Sequence, residues 1–380
     1  MRAALLTAPG CLEIGELPEP APGPGEVLLR PLAVGLCGTD FHIHSGEANY
    51  HLDAEGRPVP LEEEPQVLGH EIYAEVLEAG REVRDLRPGQ RVVVDQGRNC
   101  RSEGRPLCEY CRSGDSHQCA FYREHGISGL PGGLAEAMAV SALQAVPVAE
   151  DLAPAAGALV EPLACVLHAV DLLERSGGRY RLQAPERDRR VRSVLIAGGG
   201  PAGLLFVQVL RRVLGFEGAL LLTEPDPAKA ALARDFGAEV LDPRDPALAA
   251  RVRERTSGRR VELLVDACGA AEVFLQAPGL LRKQGTFLLY GHGHGGTGLE
   301  ALNAVQWLEP TLIAPIGASG GFDPDGRPEV YRRARDLLQE GRVEGAPLLS
   351  HRWRGLEELP QAFSGVHRES GYLKAVAELG

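Results

Sequence analysis

The sequence lacks any uninterrupted apolar run of about 18 residues, so it predicts no membrane-spanning helix. The opening segment MRAALLTAPG has one arginine and only a short apolar run, which predicts a first β-strand rather than a secretory signal. Cysteine is also scarce, because eight in 380 residues are too few for a disulfide scaffold. Together these features predict a cytoplasmic protein whose clustered thiols bind metal or take part in catalysis.

Basic residues are fewer than acidic ones: the chain has 40 Lys and Arg residues and 52 Asp and Glu residues, for a net charge of −12. Such an acidic chain is repelled by a phosphate backbone, which excludes a general affinity for nucleic acid. Lysine occurs only at positions 229, 283 and 374. The contents of apolar residues, 44%, and charged residues, 24%, are those of a globular protein. The length suffices for two domains.

Two hydrophobic patterns divide the chain. In roughly the first 155 residues, segments such as EVLLRPLAVGLC and IYAEVLEAG, separated by turns rich in Pro and Gly, predict β-strands. The segment EPLACVLHAVDLLERSGG then has helical spacing, and the basic stretch RYRLQAPERDRRVR predicts a surface excursion. From residue 193 onward, buried strands alternate with helices, which predicts an α/β fold with a doubly wound parallel sheet.

The segment LIAGGGPAG contains the G-x-G-x-x-G fingerprint of dinucleotide-binding folds as Gly198, Gly200 and Gly203. It follows a predicted strand and opens a predicted helix at Pro201 and Ala202. The first glycine permits a tight turn, the second lets the backbone approach the pyrophosphate, and the third allows close helix–strand packing. Amides at the start of the helix are expected to bind the phosphates.

An acidic residue that binds the adenosine ribose is expected at the end of the next strand, about 20 residues further on. Glu224 lies there, and Asp226 is the alternative. A carboxylate repels the 2′-phosphate of NADP, and no arginine follows directly, so NAD is favoured over NADP. Cys268 and Gly269 follow a later strand, where ligands bind in open sheets, and are expected near the nicotinamide. The alternative for Cys268 is a small buried residue.

Four cysteines cluster in CRSEGRPLCEYCRSGDSHQC: Cys100, Cys108, Cys111 and Cys119. The C-x2-C pair lets two thiolates face one ion, and four thiolates form a closed tetrahedral zinc site with no open position. We therefore predict a structural zinc. Seven residues separate Cys100 from Cys108, and RSEGRP within this spacer is interpreted as an insertion in the loop.

Further motifs give this lobe a context. The segments CGTDFH and LGHE precede the four-cysteine lobe, and LVEP and the glycine fingerprint follow it. This order resembles the zinc-dependent medium-chain alcohol dehydrogenase/reductase family, in its polyol (sorbitol-type)/threonine dehydrogenase branch. The resemblance covers nearly the whole chain. It implies a GroES-like β-rich catalytic domain over 1–157, a Rossmann coenzyme domain over 158–317 and a C-terminal segment, 318–380, that returns to the catalytic domain.

By the same resemblance, Cys37 and His70 correspond to ligands of a catalytic zinc, and Glu71 to the carboxylate that can also ligate it. Glu161 corresponds to the acidic residue of the polyol branch, which reaches the metal directly or through its water. Unlike four thiolates, this mixed set can leave a position open for substrate. As an alternative, Glu161 stabilises the dipole of the helix that it begins.

The resemblance also implies a proton path. Thr39 corresponds to the hydroxyl that takes the substrate proton, and His42 to the imidazole that passes it to solvent. His44 is the alternative imidazole. Asp40 is expected to have a structural hydrogen-bonding part rather than a chemical one.

These assignments imply a zinc- and NAD-dependent dehydrogenase that oxidises a secondary alcohol, with a polyol as the leading substrate. L-Threonine and a glucose-type sugar are the alternative substrates. A non-catalytic, NAD-binding regulatory protein is the alternative of another class. The resemblance further suggests a homodimer or homotetramer. The acidic loop 46–65 is expected near the substrate entrance or a subunit contact, and GHGHGGTG is expected to be a mobile loop, with His292 and His294 as alternative substrate contacts.

Overall fold

The computed structural model of the protein describes residues 1–292, 298 and 301–380. The chain forms two compact units, of which the first comprises Met1–Ala164 and Ala318–Gly380 and the second Cys165–Gly317. The first unit is therefore assembled from both ends of the chain, and the second from its middle.

The described residues form the following elements. The strands are β1 (Arg2–Ala8), β2 (Cys11–Glu16), β3 (Glu26–Leu36), β4 (Gln66–Val67), β5 (Glu71–Ala79), β6 (Arg91–Val94), β7 (Gly97–Arg98), β8 (Arg123–Glu124), β9 (Met138–Ser141), β10 (Ala145–Pro147), β11 (Ser193–Ala197), β12 (Ala219–Thr223), β13 (Glu239–Leu241), β14 (Val261–Asp266), β15 (Leu281–Leu289), β16 (Thr311–Ile313), β17 (Leu349–Arg354) and β18 (Lys374–Glu378). The α-helices are α1 (Gly38–Ser45), α2 (Glu109–Ser113), α3 (Pro154–Gly157), α4 (Val160–Arg175), α5 (Pro201–Gln208), α6 (Pro227–Asp235), α7 (Leu248–Arg255), α8 (Ala271–Leu280), α9 (Ala301–Gln306), α10 (Glu329–Gln339) and α11 (Leu359–Ala362).

The first unit is built around a seven-stranded sheet in the order β10-β6-β5-β3-β18-β17, with β9 also paired to β3. Strand β3 is antiparallel to both β5 and β18, with Gly35 opposite Glu71 and Leu36 opposite Ala375. The end of β3 and the starts of β5 and β18 therefore meet at one edge of the sheet. This register brings together Cys37, which follows β3, Glu71, which begins β5, and Lys374, which begins β18.

The second unit contains a six-stranded sheet in the order β13-β12-β11-β14-β15-β16, and every neighbouring pair is parallel. This is the strand order of doubly wound dinucleotide-binding sheets. The central strands β11 and β14 are buried along their whole length, as expected for mainly apolar strands in a sheet covered on both faces.

Several elements differ from the sequence expectations. Segment 179–192, which was predicted to be a surface excursion, has no regular helix or strand. It is only partly exposed, because Tyr180, Leu182 and Ala184 are buried. The helix after the glycine fingerprint ends in a π-helical turn, Val209–Val213. Helix α1 was not predicted, because its sequence GTDFHIHS has no apolar stripe at helical spacing.

One helical stretch, Pro154–Arg175, is long and apolar enough to cross a membrane by length and composition alone. Its most apolar window is 78% buried inside the protein. Such burial is typical of a core helix, whose apolar side chains pack against its own fold.

Candidate metal and coenzyme sites

A thiol, an imidazole and a carboxylate converge at the edge of the first sheet. Cys37, His70 and Glu71 each offer one ligand atom, and these atoms all lie within 4.8 Å of one another. Cys37 is the N-cap of α1, where the chain turns out of β3, and the other two residues lead into β5. Soft sulfur, borderline nitrogen and hard oxygen at this spacing form a donor set that zinc accepts.

Asp40 contacts the backbone and the imidazole of the candidate metal site. Its carboxylate is fully buried, accepts the amides of Cys37 at 2.8 Å and Gly69 at 3.1 Å, and lies 3.5 Å from Nδ1 of His70. Nδ1 of His70 has no hydrogen-bond partner among the described residues, so Asp40 acts on this imidazole through its charge. Burial alone would lower the pKa of His70, but the Asp40 charge outweighs it and raises this pKa well above its usual value. These hydrogen bonds agree with the structural role expected of Asp40.

Glu71 is completely buried and forms an ion pair with Lys374, which is 4% exposed. Nζ of the lysine donates to Oε1 of the glutamate, whereas Oε2 has no hydrogen-bond partner among the described residues. Gly35 gives this oxygen room, because a Cβ there would lie 2.0 Å from it. A buried carboxylate oxygen without a partner, beside a thiol and an imidazole, fits the presence of a metal ion.

Lys374 was not predicted as part of the site. Burial alone would lower its pKa, but the charge of Glu71 outweighs that effect and raises it. A signal was available in the sequence, since one of only three lysines lies inside the apolar final strand GYLKAVAEL. A lysine in a buried strand requires a paired charge.

Glu161 lies in the first turn of α4 and is 6% exposed. Its carboxylate does not belong to the cluster of ligand atoms from Cys37, His70 and Glu71. Its Oε1 accepts a hydrogen bond of 3.0 Å from Nε2 of Gln96, another residue that the sequence analysis missed. The part of Glu161 as a metal ligand therefore stays a prediction.

The expected proton path lies on α1. Thr39 Oγ1 is 3.8 Å from Sγ of Cys37, and His42, one helical turn further on, is on the same face of the helix. The His42 ring is half exposed, and its Nδ1 lies 2.6 Å from Oε2 of Glu47. His44 is more enclosed, and burial lowers its pKa, which disfavours a charged form. His42 as the proton carrier, with His44 as the alternative, stays a prediction.

The four cysteines of the lobe also converge, with sulfur atoms within 4.8 Å of one another. Sγ of Cys119 is 3.4 Å from Sγ of Cys100 and 3.9 Å from Sγ of Cys108, and all three thiols are free. Hydrogen bonds from the backbone at Cys111 and then at Ala120 lower the pKa of Cys108 to about 6. A thiolate that forms near neutral pH suits a metal ligand.

The inserted spacer in the lobe folds around an acidic residue. Glu103 accepts from Arg98 at 2.9 Å and also pairs with Arg105. The amide of Arg105 bonds back to the carbonyl of Cys100 at 2.9 Å. The spacer thus closes on itself, and Cys100 joins the cluster despite the extra residues.

In the second unit, the fingerprint glycines have the conformations that the motif requires. Gly198 has φ of 103°, which favours glycine, and Gly200 is the N-cap of α5, with Pro201 in its first turn. A Cβ at Gly203 would lie 2.0 Å from the carbonyl oxygen of Gly198. Only glycine therefore lets the helix begin this close to the turn, and Ala202 follows within the same first turn of α5.

Glu224 lies directly beside this turn. Its Oε2 accepts the amide of Gly199 at 2.7 Å, and its Oε1 accepts the amide of Asp226 at 2.8 Å. Asp226 in turn caps α6, because its Oδ1 accepts the amides of Ala228 at 2.9 Å and Lys229 at 3.1 Å. Both carboxylates thus accept backbone amides, and Glu224 as the ribose ligand stays a prediction, with Asp226 as the alternative.

Asp266, at the end of β14, shapes the other predicted coenzyme contact. Its buried Oδ1 accepts the amides of Cys268 at 3.0 Å and Gly269 at 2.9 Å. Burial raises the pKa of the Cys268 thiol to about 12, so this thiol is neutral at pH 7 although the residue is exposed at the surface. His292 follows β15 and is exposed, whereas His294 lies outside the described residues.

Known proteins share this architecture over the whole chain. The alcohol dehydrogenase GroES-like domain family matches residues 23–150, and the zinc-binding dehydrogenase family matches residues 201–340. The glucose 1-dehydrogenase of Thermoproteus tenax is 36% identical over 77% of this chain and 75% of its own. The L-threonine 3-dehydrogenase of Pyrococcus horikoshii is 29% identical over 96% of this chain and 94% of its own.

A solved structure extends the likeness to the fold. The crystal structure of a zinc-binding dehydrogenase from Sinorhizobium meliloti, bound to NADP, is 30% identical with a TM-score of 0.80 and covers 99% of this chain and 98% of its own. The chain belongs to the zinc-binding dehydrogenase family, among the alcohol dehydrogenases with a GroES-like domain. It is a dehydrogenase that acts on CH–OH groups. The family and the fold class predicted from the sequence are confirmed.

Proposed function

We propose that the protein is a zinc- and NAD-dependent dehydrogenase that oxidises the secondary alcohol of a polyol to a ketone. The observation that carries the proposal is the convergence of Cys37, His70 and Glu71 at the edge of the first sheet, with one buried carboxylate oxygen unsatisfied among the described residues. When bound, zinc supplies Lewis acidity toward the substrate hydroxyl, and NAD accepts the hydride.

The protein's own residues then have separate tasks. Cys37, His70 and Glu71 would hold the metal, and Glu161 is the further carboxylate that would reach it directly or through water. Asp40 acts on the imidazole of His70 through its charge, and Lys374 balances the buried charge of Glu71.

The proton path follows from the geometry of α1. Thr39 holds the substrate proton at Oγ1, and the half-exposed ring of His42 carries it to solvent. Oε2 of Glu47 lies 2.6 Å from Nδ1 of that ring and orients it.

The coenzyme is NAD rather than NADP because of Glu224. Its carboxylate is fixed against the glycine turn by the amides of Gly199 and Asp226, so it cannot swing away from a 2′-phosphate. Cys100, Cys108, Cys111 and Cys119 hold a second, structural zinc.

Replacement of Glu224 by alanine tests the coenzyme assignment. We expect the affinity for NADH to fall by about tenfold and the affinity for NADPH to rise, because a charge-assisted ribose contact and a repulsive charge disappear together. Fluorescence titration with both coenzymes measures the change. The matched control is Asp226→Asn, which removes a nearby charge but keeps a helix-capping side chain. A wild-type protein that binds both coenzymes equally well contradicts the assignment.

The substrate class follows from the family and from Glu161, the acidic residue on which the polyol branch depends. Glucose is the second candidate, because the Thermoproteus tenax relative is named a glucose 1-dehydrogenase, and L-threonine is the third. The test is NADH formation by the zinc-loaded protein across polyols, glucose, L-threonine and simple alcohols, repeated after chelation. Chelator-sensitive turnover on one class selects it, whereas tight NAD binding without turnover on any class favours a regulatory protein.

We also propose that the enzyme is cytoplasmic and forms a homodimer or homotetramer. Support for self-association comes from the outer strand β16 and its flanks, where Trp307 is 83%, Leu312 48% and Ile316 59% exposed. Apolar side chains beside an open sheet edge favour pairing with another chain.

Replacement of Leu312 by lysine tests this surface. A charge at an open edge opposes strand pairing, so we expect sedimentation equilibrium to show a smaller assembly than the wild type forms. Leu275→Lys, at another exposed leucine of the same unit, is the control and should leave the assembly unchanged. A wild-type monomer refutes the proposed self-association.

A further inference from the structure

Gln96 is a buried residue that follows β6 in the first unit. Strands β5 and β6 pair in antiparallel register with Ile72 opposite Val94, and continuing this register past the end of β6 places Gln96 level with His70. Its side chain is only 1% exposed. A buried amide has two donors and an acceptor that all require partners, so its neighbours dictate its orientation.

Two buried residues from different parts of the chain supply partners for the oxygen and for one N–H of this amide. The hydroxyl of Tyr331, on α10, donates to Oε1 of Gln96, and Nε2 of Gln96 donates to Oε1 of Glu161 at 3.0 Å. Tyr331 is fully buried and Glu161 is 6% exposed. The three side chains form one directed chain of hydrogen bonds, from the phenol through the amide to the carboxylate.

The direction of this chain is fixed by chemistry. An ionised carboxylate only accepts, so the amide must turn its NH2 group toward Glu161, and its oxygen must then accept from Tyr331. A flipped amide would place two oxygens against each other. The carboxylate of Glu161 thus sets the orientation of the Gln96 amide, and the hydroxyl of Tyr331 donates to the amide oxygen that faces the other way.

The backbone of Gln96 is also fixed. Its carbonyl accepts the amide of His125 at 2.9 Å. The preceding residue, Asp95, is buried and bonds to Nε2 of His117 at 3.1 Å and to the amide of Gly97 at 2.9 Å. Because both the backbone and the amide are held, Gln96 transmits a fixed position to Glu161.

We propose that Gln96, whose amide oxygen accepts from Tyr331, is a positioning residue that holds Glu161 through one carboxylate oxygen and so sets how this carboxylate meets the metal and the substrate. The inference rests on the proposed function, in which Glu161 acts at the metal. It assigns a task to a glutamine and a tyrosine that lie far apart in the sequence and that carry no zinc-ligand chemistry of their own.

The test compares Tyr331→Phe and Gln96→Met with Tyr73→Phe in the full-length protein, with cobalt at the site of Cys37, His70 and Glu71 and zinc kept in the four-cysteine lobe. Tyr73 is the matched control, because it is equally buried in the same unit but donates to the carbonyl of Leu152 at 3.2 Å. We expect the visible cobalt spectrum, and its response to substrate, to change in the first two variants and to stay as in the wild type in the control. We expect kcat/KM to fall by about tenfold, mainly through kcat.

The outcomes are separable. Wild-type spectra and kinetics in Tyr331→Phe, beside an active and chelator-sensitive wild type, overturn the inference and leave the proposed function standing. A wild type that binds no cobalt and oxidises no alcohol overturns the proposed function, and the inference with it. If Gln96→Met does not fold, Tyr331→Phe decides alone, since it removes a single oxygen and thermal melts establish its folding.

Discussion

Replacement of Cys37 by serine is expected to abolish turnover while the protein remains folded and binds NADH. A serine hydroxyl is a poor zinc ligand at neutral pH, so the metal is lost or misplaced. Loss of several kcal/mol of transition-state stabilisation from a Lewis acid lowers kcat/KM by about 10³-fold or more. Steady-state kinetics on the best alcohol, together with zinc content and NADH titration, measure the three properties separately.

Cys11→Ser is the matched control for this variant, because Cys11 is also a free, partly buried cysteine, at the start of β2. It should keep full activity and the full zinc content. Undiminished, chelator-sensitive turnover in Cys37→Ser is incompatible with Cys37 as a catalytic ligand. A protein that shows no turnover before or after the change, but binds NADH in both forms, is a regulatory protein on the same fold.

Structural features that depend on short stretches of sequence were predictable. The continuous apolar strands, the glycine fingerprint and the close spacing of cysteines each result from local chemistry, and the second sheet has the predicted doubly wound, parallel form. The domain borders and the roles of the individual site residues stay predictions, although the structure brings Cys37, His70 and Glu71 together.

Contacts across long sequence distances were not predictable. Glu71 and Lys374 are 303 positions apart, and Gln96 and Tyr331 are 235 positions apart. Each pair is brought together by the antiparallel sheet or by the return of the C-terminal segment, and no local pattern encodes those registers. A lone lysine in an apolar strand indicates that a partner exists, but only the folded sheet identifies it.

A substitution in the four-cysteine lobe is expected to have the second large effect, which is on the stability of the protein rather than on its catalysis. Replacement of Cys111 by serine opens a closed four-thiolate site, and the binding energy of a structural zinc is then lost from the folded state. Cys111 is 3% exposed, so the change also leaves a buried hydroxyl among sulfur atoms. We expect the protein to lose about one zinc per chain. We expect the midpoint of thermal unfolding to fall by about 5–15 °C.

The same experiment separates a zinc site from a disulfide. Sγ of Cys100 and Sγ of Cys119 lie 3.4 Å apart, close enough for oxidation if no metal protects them. A thiol count on the unfolded, unreduced wild-type protein should find every cysteine free, and metal release should accompany thiol modification in the native state. Because segment 116–119 bonds to Ser319 and Gly320 in the C-terminal part of the same unit, loosening the lobe removes support from that segment as well. A Cys111→Ser protein with unchanged zinc content and melting temperature would show that the lobe is held by its packing rather than by a metal.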